Sequence, residues 1–458
     1  MHSILLIDFG STYTKATLVD ADAGTILGTT QSYTTVEEDV SVGLHKALDL
    51  LSAQTGITDY DERYACSSAA GGLRMIACGL VPALTAEGAK RAALGAGAKV
   101  IKTYAYDLTQ ADIDEIDRLK PDIFLLSGGT DGGNRACVTH NAQMLAKATT
   151  DFPIVLACNR SATDACKAVL ASAGREVLVT ENVMPEFGRL NIEPCQGVIR
   201  EVFLRRIISA KGLSSETLLI GGILMPTPAA VLTALTLLSE TMGELMAVDL
   251  GGATTDVYSI TDGLPSRAGT VLRGLPEPYA KRTVEGDIGM RYSAQGVVEA
   301  AGLAAVCAIS GTSEEAVTQW IAHIRREPGI LSTTPIEDQI DFALASLAIE
   351  IGLVRHAGTI EQVYTPMGVA YQQTGKDLTR VTRLLLTGGA LIHTGRAGEM
   401  AARAMSTERY PDSLMPRTAK LSVDTRYILS AMGLLSQNHR ELARQLMIKE
   451  FNAYGDPQ

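Results

Sequence analysis

The stretch MAVDLGGATTDVYSI, Met246–Ile260, decides the fold. Its apolar strand is predicted to end at Asp249, to turn through Gly251 and Gly252, and to continue into a second apolar strand. The chain opens with a near-copy, LLIDFGSTYTKATLVD, at Leu5–Asp20. A hairpin needs only glycine at a positive φ, so one such turn alone is typical of a plain reversal of the chain. Two matched acidic turns instead favour a ligand site.

The chemistry of these turns suits a polyphosphate. Small residues in a tight turn expose backbone N–H groups, and hydroxyls add further donors to phosphate oxygens. Asp8 and Asp249 occupy equivalent positions in the two copies, and two facing carboxylates hold a hydrated Mg²⁺ that keeps most of its waters. Lys15 adds a compact positive charge suited to a β- or γ-phosphate. The sequence therefore predicts a magnesium-dependent nucleotide site.

Composition limits the class of protein. A chain of 458 residues, 46% hydrophobic and 20% charged, is a folded protein of two or three domains. A net charge of −11 argues against a nucleic-acid partner, which requires a basic surface. The seven cysteines form no C-x-x-C pair, so we expect reduced core thiols in a cytoplasmic protein.

One uncharged segment tests the prediction of a soluble protein. Leu218–Leu238 approaches the length that spans a bilayer. Pro226 and Pro228 divide it, so we predict a buried strand, turn and helix instead of a membrane span. The N-terminal apolar run is broken by Asp8, so we expect no signal peptide.

The order of predicted elements divides the chain into two α/β domains, 1–213 and 214–458. The first begins with three strands and a helix over Ser41–Gln54. Strands and helices then alternate over residues 99–180, which predicts an inserted, doubly wound parallel section. The strand–turn–strand pattern restarts at Leu245. Four apolar runs end in Gly-Gly (FLLSGG, LLIGG, AVDLGG and LLLTGG), as expected where a ligand approaches strand ends.

Helices are predicted in the second domain over Asp287–Ala301 and Glu314–Arg326. A longer helix follows, with Pro335 at its first position. Its start carries a capping box, in which Thr334 is the N-cap and Glu337 the third helical residue.

Three motifs together resemble those of a known superfamily. LLIDFGSTYTKATLVD, MAVDLGGATTDVYSI and RLLLTGGALI look like the phosphate-1, phosphate-2 and adenosine motifs of actin, heat-shock chaperones and sugar kinases, in that order. The resemblance implies an actin-like ATPase fold, with duplicated ribonuclease-H-like domains that hold MgATP in a cleft. ATP and Mg²⁺ are the cofactors it implies.

The same resemblance assigns roles by position. Asp8 and Asp249 would be the catalytic residues and would orient Mg²⁺ through water. The segment TVEGDIGMR adds Glu285, Gly286 and Asp287 as nucleotide contacts. The remaining residues that would bind the phosphates or the adenosine are Gly10, Ser11, Thr12, Tyr13, Lys15, Gly251, Gly252, Ala253, Thr254, Thr255, Gly388, Gly389 and Ala390.

A narrower resemblance rests on SGGTDGGN, RTVEGDIGMR and VRHAGTIEQVYTPMG. These segments and the chain length look like the GlmL/MutL-type accessory proteins of adenosylcobalamin-dependent glutamate and ornithine mutases, which are unrelated to the mismatch-repair protein of similar name. The resemblance implies a weak ATPase that is not the mutase itself. It would act on the mutase subunits as a chaperone-like factor and release damaged cobalamin. The mutase served, a small second subunit and homo-oligomer formation stay open.

Three other functions share parts of this pattern. A small-molecule kinase of the same fold needs a catalytic base, for which Asp107 and Asp131 are available. An activator of a radical dehydratase needs clustered thiolates, which the dispersed cysteines do not supply. An actin-like filament protein is the third. The loop Ser127–Gly133 suits contact with a phosphate or a partner, or a plain loop in which Asp131 caps the next helix.

Overall fold

The computed structural model describes residues 1–10, 12–34, 40–68, 73–210, 223–366 and 368–453. The chain forms two compact units. Unit 1 comprises Met1–Ala230 and Gly274–Pro276, and unit 2 comprises Val231–Arg273 and Glu277–Gln458. The predicted boundary at 213/214 and the LLIGG copy of the glycine pair lie outside the described residues.

Unit 1 alternates strands and helices along most of its length. Its strands are β1 (Ser3–Phe9), β2 (Tyr13–Asp20), β3 (Thr25–Tyr33), β4 (Glu62–Ser67), β5 (Arg74–Gly79), β6 (Lys99–Ala105), β7 (Ile123–Gly128), β8 (Ile154–Cys158), β9 (Val177–Val179) and β10 (Ile223–Pro226). Its helices are α1 (Val40–Thr55), α2 (Glu87–Gly95), α3 (Gln110–Leu119), α4 (Ala136–Leu145), α5 (Arg160–Ser172) and α6 (Glu193–Ala210). A π-helical turn at Pro82–Ala86 precedes α2, and α7 (Thr227–Met242) begins in unit 1 and continues in unit 2.

Two five-stranded sheets form unit 1. The first has the order β10-β4-β1-β2-β3. In it β2 is antiparallel to β1 and β3, whereas β4 is parallel to β1 and β10. The second sheet, β6-β5-β7-β8-β9, is parallel throughout. Successive residues of its central strands belong to different hydrophobic cores, one on each face of the sheet. On β7, for example, Leu125 belongs to one core and Leu126 to the other. Helices therefore cover both faces of this sheet, as a parallel sheet requires.

Unit 2 repeats the first pattern and adds helices. Its strands are β11 (Leu245–Leu250), β12 (Thr255–Ile260), β13 (Thr270–Arg273), β14 (Ala280–Glu285), β15 (Thr359–Thr365), β16 (Gly368–Thr374), β17 (Arg383–Thr387) and β18 (Lys420–Val423). Its further helices are α8 (Ala294–Ala301), α9 (Leu303–Ser310), α10 (Glu314–Arg326), α11 (Pro335–His356), α12 (Gly389–Ile392), α13 (Ala397–Met405), α14 (Leu429–Leu435) and α15 (Arg440–Ala453).

The main sheet of unit 2 has the same topology as the first sheet of unit 1. Its order is β14-β12-β11-β17-β18, with β12 antiparallel to both neighbours and β17 parallel to β11 and β18. If the five strands of each sheet are numbered as they occur along the chain, both sheets have the spatial order 3-2-1-4-5. This duplication confirms the predicted α/β fold class, an actin-like fold with an inserted parallel section. A smaller sheet, β13-β16-β15, completes unit 2.

Threonine side chains cap two of the helices. Thr109 caps α3, and its hydroxyl oxygen accepts a hydrogen bond from the amide of Asp112. Thr334 and Glu337 form the predicted capping box at the start of α11.

All seven cysteines are free and six are buried. Among the described residues, none of the helices combines the length and the apolar character that crossing a membrane requires.

Two predicted boundaries are wrong. The parallel section begins at β5, not at residue 99, because Arg74–Gly79 inserts between β6 and β7. The helix predicted over Asp287–Ala301 begins only at Ala294. Residues 286–293 form turns instead, since the amides of Met290 and Arg291 donate to the carbonyls of a neighbouring turn and not to a helical ladder.

A buried lysine joins the two sheets of unit 2. Lys376 follows β16 and is fully buried. Its Nζ donates to the carbonyl oxygens of Thr261 (2.7 Å) and Tyr279 (2.8 Å) and lies 3.4 Å from Oγ of Ser259. Ser259 lies on β12, Thr261 directly follows that strand, and Tyr279 directly precedes β14. Burial lowers the pKa of Lys376 to about 7.

This lysine predicts a pH-dependent stability. Between pH 7 and the ordinary lysine value of 10.5, the unfolded chain binds a proton that the folded chain does not. The free energy of unfolding should therefore rise with pH over this window, by up to about 1.4 kcal/mol per pH unit. Below pH 7 Lys376 is protonated in both the folded and the unfolded state, so the folded state bears the full free-energy cost of a buried ammonium group. Urea denaturation between pH 6 and 10 measures the free energy of unfolding of the wild type and of Lys376→Met. In Lys376→Met the rise of this free energy with pH should disappear. The exposed Lys167→Met is the control and should keep it; a slope unchanged in Lys376→Met would contradict the assignment.

Candidate functional site

The first acidic turn follows β1 in unit 1. Asp8, the penultimate residue of β1, is 3% exposed. The amide of Gly10 lies 3.1 Å from the carbonyl oxygens of both Asp8 and Tyr13, which closes the turn. The carbonyl of Thr12 accepts from the amide of Thr34, and the Tyr13 ring meets another tyrosine ring edge-on. Ser11 lies outside the described residues.

The carboxylate of Asp8 is held from both sides. Its Oδ2 lies 3.5 Å from Nζ of Lys15, the residue opposite it on β2. Oδ1 accepts a 2.6 Å hydrogen bond from Oγ1 of Thr227, at the start of α7. The Cys66 thiol lies 3.5 Å from the same oxygen, and burial, followed by the charge of Asp8, raises the pKa of this thiol. A buried carboxylate is stable only when it is paired and hydrogen-bonded, and here it is both.

Thr227 and Cys66 were not predicted from the sequence. Cys66 lies on β4 and Thr227 directly follows β10, and both strands run parallel to β1. Their carboxyl ends therefore meet at the edge where Asp8 lies. The signal that could have located them is the sheet order, which requires the unpredicted strand β4.

The second acidic turn follows β11 in unit 2. The amide of Gly251 donates to the carbonyl of Thr254 at 2.9 Å, as the amide of Gly10 donates to that of Tyr13. The Thr255 hydroxyl donates to the carbonyl of Ile288 at 3.0 Å. Gly252 and Ala253 complete the turn. The two acidic turns thus close in the same way, as their sequences predict.

The carboxylates around the second turn differ from those of the first. Asp249 pairs in register with Asp256 on β12 and with Thr387 on β17. Asp256 occupies the position that Lys15 has in unit 1. It forms a buried ion pair with Arg282, whose Nε and Nη2 lie 2.8 Å and 2.5 Å from Oδ1. The carboxylate of Asp256 is therefore neutralised within the sheet.

The segment that carries Glu285, Gly286 and Asp287 contacts the second turn. The amides of Met290 and Arg291, the last two residues of TVEGDIGMR, donate to the carbonyls of Gly251 and Gly252 at 3.0 Å and 2.8 Å. Glu285, the last residue of β14, is paired with Arg355, and Asp287, which is 73% exposed, lies 3.9 Å from Nη1 of the same arginine. The structure therefore brings this segment to the turn, although not as the helix start that the sequence predicted.

The third glycine motif, Gly388–Ala390, lies beside the end of β11. Gly388 has a φ of +100°, and a Cβ at this position would lie 2.4 Å from the carbonyl oxygen of Leu250. Only glycine fits both the backbone conformation and the space. Gly389 and Ala390 begin the short helix α12. The adenosine motif and the phosphate-2 turn are thus neighbours within unit 2.

A buried carboxylate supports this strand end. Asp424, which follows β18, accepts a 3.2 Å hydrogen bond from the Thr387 hydroxyl and further bonds from the amides of Ile428 and Leu429. Burial raises the pKa of Asp424 to about 6. Asp424 follows the fifth strand of its sheet, as Thr227 does in unit 1. This residue, too, was absent from the predicted site.

The candidate residues therefore gather into one group on each unit. Unit 1 brings together Asp8, Gly10, Thr12, Tyr13 and Lys15. Unit 2 brings together the second turn, Glu285–Asp287 and Gly388–Ala390. Across the part of the chain that the structure describes, no three His, Cys, Asp or Glu residues cluster as ligands of a metal ion.

The duplicated sheet with an acidic turn after its first strand defines a protein of the actin-like α/β class. A family profile described as "MutL protein" matches residues 4–451. "Protein MutL" from Clostridium tetanomorphum is 47% identical over 461 residues, covering 98% of this chain and 99% of that protein. The chain therefore belongs to the MutL protein family. The resemblance drawn from its motifs is confirmed.

Solved structures are far more distant. A nucleotide-free structure of acetone carboxylase is 14% identical, with a TM-score of 0.42 over 94% of this chain and 70% of that chain. Component A of (R)-2-hydroxyglutaryl-CoA dehydratase from Acidaminococcus fermentans is 9% identical, with a TM-score of 0.34 over 97% of this chain and 100% of that chain.

The hydrogen bond from Thr227 to Asp8 predicts a stability cost. Thr227→Val removes the donor and leaves a buried carboxylate oxygen short of a partner, so unfolding should become easier by about 1–3 kcal/mol. Thr227→Ser keeps a hydroxyl and should retain most of the stability. Thr236→Val, on the same helix, is the control because its hydroxyl donates to the backbone carbonyl of Leu232, four residues earlier, and not to a carboxylate. Urea denaturation measures all three; equal midpoints for Thr227→Val and Thr236→Val would contradict the prediction.

The close approach at Gly388 gives a second stability prediction. Gly388→Ala places a methyl group against the backbone of Leu250 and in a left-handed conformation. We expect a cost on the order of 3 kcal/mol, measured by thermal or urea denaturation. Gly395→Ala is the matched control, since nothing lies within 4 Å of a Cβ at that position. Indistinguishable stabilities of the two variants would show that the strand end does not pack as described.

Proposed function

We propose that this protein binds MgATP and acts as an ATP-dependent, chaperone-like accessory factor for an adenosylcobalamin-dependent mutase. Membership of the MutL family supports the role as a factor that works with a mutase. The observation that carries the nucleotide assignment is the pair of acidic glycine turns, each closed by the same backbone hydrogen bond after the first strand of its sheet.

In unit 1 the proposal assigns the phosphates to the turn around Gly10. Asp8 has a fixed orientation because Thr227 holds one oxygen and Lys15 lies beside the other. An ionised carboxylate offers about four acceptor sites, so it can accept from a water molecule of a hydrated ion in addition to protein donors. Mg²⁺ retains several waters and needs only one or two carboxylates, which fits this donor set without a cluster of protein ligands.

In unit 2 the proposal assigns a phosphate contact to Gly251–Thr255 and an adenosine contact to Gly388–Ala390. Asp249 would receive a second water of the hydrated ion. Arg282 neutralises Asp256, so this turn presents less negative charge to a phosphate than its sequence suggests. Glu285, Gly286 and Asp287 would contact the nucleotide beside the turn.

The bound Mg²⁺ would offset the negative charge of the phosphates. The chain itself would bind and orient the nucleotide through turn amides, hydroxyls and Lys15. Asp8 and Asp249 would position water near the γ-phosphate, which is the main protein contribution to phosphoryl transfer. The bound nucleotide would favour one conformation of this weak ATPase. That conformation would change its contact with the mutase, and the change would release damaged cobalamin.

One observation weighs against the kinase alternative. Of the two candidate bases, Asp131 is committed to the fold, since its Oδ1 accepts from the amide of Arg160 (2.9 Å) and from Nδ2 of Asn182 (3.0 Å). A general base must reach the substrate hydroxyl instead.

The decisive experiment inactivates a cobalamin mutase with hydroxocobalamin and adds this protein, MgATP and fresh adenosylcobalamin. Mutase activity should recover only when ATP is present. Asp8→Asn and Asp249→Asn should each weaken MgATP binding tenfold or more, about 1.4 kcal/mol, and abolish recovery. Isothermal titration calorimetry measures the binding.

The control is Asp164→Asn, an exposed carboxylate on α5 that should leave both readouts unchanged. Denaturation of each variant separates loss of binding from loss of folding, and Asp249 is the more exposed of the two aspartates. Tight MgATP binding without recovery would overturn the reactivating role and keep the nucleotide site. Unchanged affinity in both variants would overturn the site itself.

A further inference from the structure

The parallel sheet of unit 1 contains a topological switch point. The strand order is β6-β5-β7-β8-β9. The chain passes from β5 to β6 on one side of β5, and then from β6 to β7 on the other side of β5. The loops after β5 and β7 therefore diverge at the carboxyl end of the sheet. In open parallel sheets, ligands bind outside the carboxyl ends of the strands at this point. We call this end the carboxyl edge: Leu80, Tyr106, the loop Gly129–Asn134, and Arg135.

The loop of the carboxyl edge has a fixed shape. Gly129 has a φ of +73°, and a Cβ there would lie 2.2 Å from the carbonyl oxygen of Asn134. The Asp131 carboxylate accepts from the amide of Arg160, at the start of α5. Asp131 thus caps a helix, as one reading of the sequence predicted, but not the next helix along the chain.

Three buried asparagines hold this edge in place. The side chain of Asn159 accepts a hydrogen bond from the amide of Gly132 and donates to the carbonyls of Gly133 and Asn134. Asn182 donates to the carbonyl of Gly129 at 3.0 Å. Asn141 donates to the carbonyl of Tyr106 at 2.9 Å. Their exposed fractions are 0%, 4% and 0% in that order.

Burying amide side chains is costly unless every partner is satisfied. Each of the three asparagines gives at least one hydrogen bond to the loops of this edge, and Nδ2 of Asn141 also lies 3.5 Å from Sγ of the core residue Cys78. Such support fixes a surface in advance of binding, which is the property of a binding site.

Tyr106 is the residue that folding alone does not explain. It follows β6, has a φ of +67° and is 60% exposed. Its amide lies 3.2 Å from the carbonyls of Gly79 and Leu80, at the end of β5. A bulky residue with a positive φ is an outlier, and the ring gains little burial in return. An exposed aromatic ring in a strained position points to stacking on a ligand.

The side chains at this edge narrow the ligand class. Arg135 is exposed directly after the loop, and the ring of Tyr106 offers a flat apolar face. A guanidinium group suits a phosphate. We propose that the carboxyl edge binds a planar conjugated ligand that carries a phosphate group, with the ring on Tyr106 and the phosphate near Arg135. This site is separate from the acidic turns and does not rest on the proposed nucleotide function.

Two sources share this chemistry, a flavin mononucleotide and a corrinoid with its phosphodiester. Each has a natural counterpart without phosphate, riboflavin and cobinamide. Titrations without ATP, followed by flavin fluorescence or by corrinoid absorbance, should show saturable binding of one phosphorylated probe. It should bind about tenfold more tightly than its counterpart. The probe that saturates identifies the source.

Tyr106→Gly tests the site without endangering the fold, because glycine prefers the positive φ. We expect at least an approximately tenfold loss of affinity, as for loss of one stacking contact, and no loss of thermal stability. Arg135→Gln should erase the preference for the phosphorylated probe and leave binding of the counterpart unchanged. Lys120→Gly is the matched control, since Lys120 also has a positive φ (+46°) in unit 1 and lies on α3's C-cap.

The proposal is overturned if neither phosphorylated probe binds saturably below roughly 1 mM. It is also overturned if Tyr106→Gly binds as the wild type does, or if Lys120→Gly loses as much affinity. Binding of mutase subunits that depends on Tyr106, without binding of either probe, would reassign the edge to a protein partner. MgATP binding in the same samples reports separately on the acidic turns.

Discussion

The carboxylate of Asp8 sets the constraint on which unit 1 depends. It lies at the end of a fully buried strand, where an uncompensated charge would be prohibitive, so the fold must deliver donors to it. Lys15 comes from the adjacent strand, but the Thr227 hydroxyl comes from 219 residues further along the chain. The strands β1, β4 and β10 must therefore be parallel and in register for one side chain to be stable. The same requirement leaves that side chain in a single orientation.

The two copies of the sheet solve this problem differently. Unit 1 leaves its lysine beside the acidic residue, whereas unit 2 has an aspartate at that position and neutralises it with Arg282. After the fifth strand, unit 1 has a hydroxyl that donates to Asp8, and unit 2 has Asp424, which accepts from Thr387. The backbone topology is common to both copies, while the charges have diverged. Equivalent positions in such a duplicated fold therefore do not have to share a role.

Features set by neighbouring residues could be predicted from the sequence. The acidic turns, the capping box at Thr334 and the alternation of the parallel section all depend on a few adjacent positions. Features that depend on distant partners could not. The start of α8 was misplaced because residues 286–293 hydrogen-bond to another turn, and β5 was missed because its place in the sheet depends on strands that follow it. Thr227 and Asp424 became visible only when the strand order was known.

Helix α7 has a consequence for how this protein can be divided. Its first four residues, Thr227–Ala230, belong to unit 1 and the rest belong to unit 2. A fragment that ended at residue 213 would lose β10 and the donor to Asp8 at the same time. Unit 1 must therefore extend through Ala230 to be complete, and even then it lacks Gly274–Pro276. A chimaera joined to a relative in a single loop would therefore divide unit 1, whereas a join within α7 would keep β10 and the donor to Asp8 together.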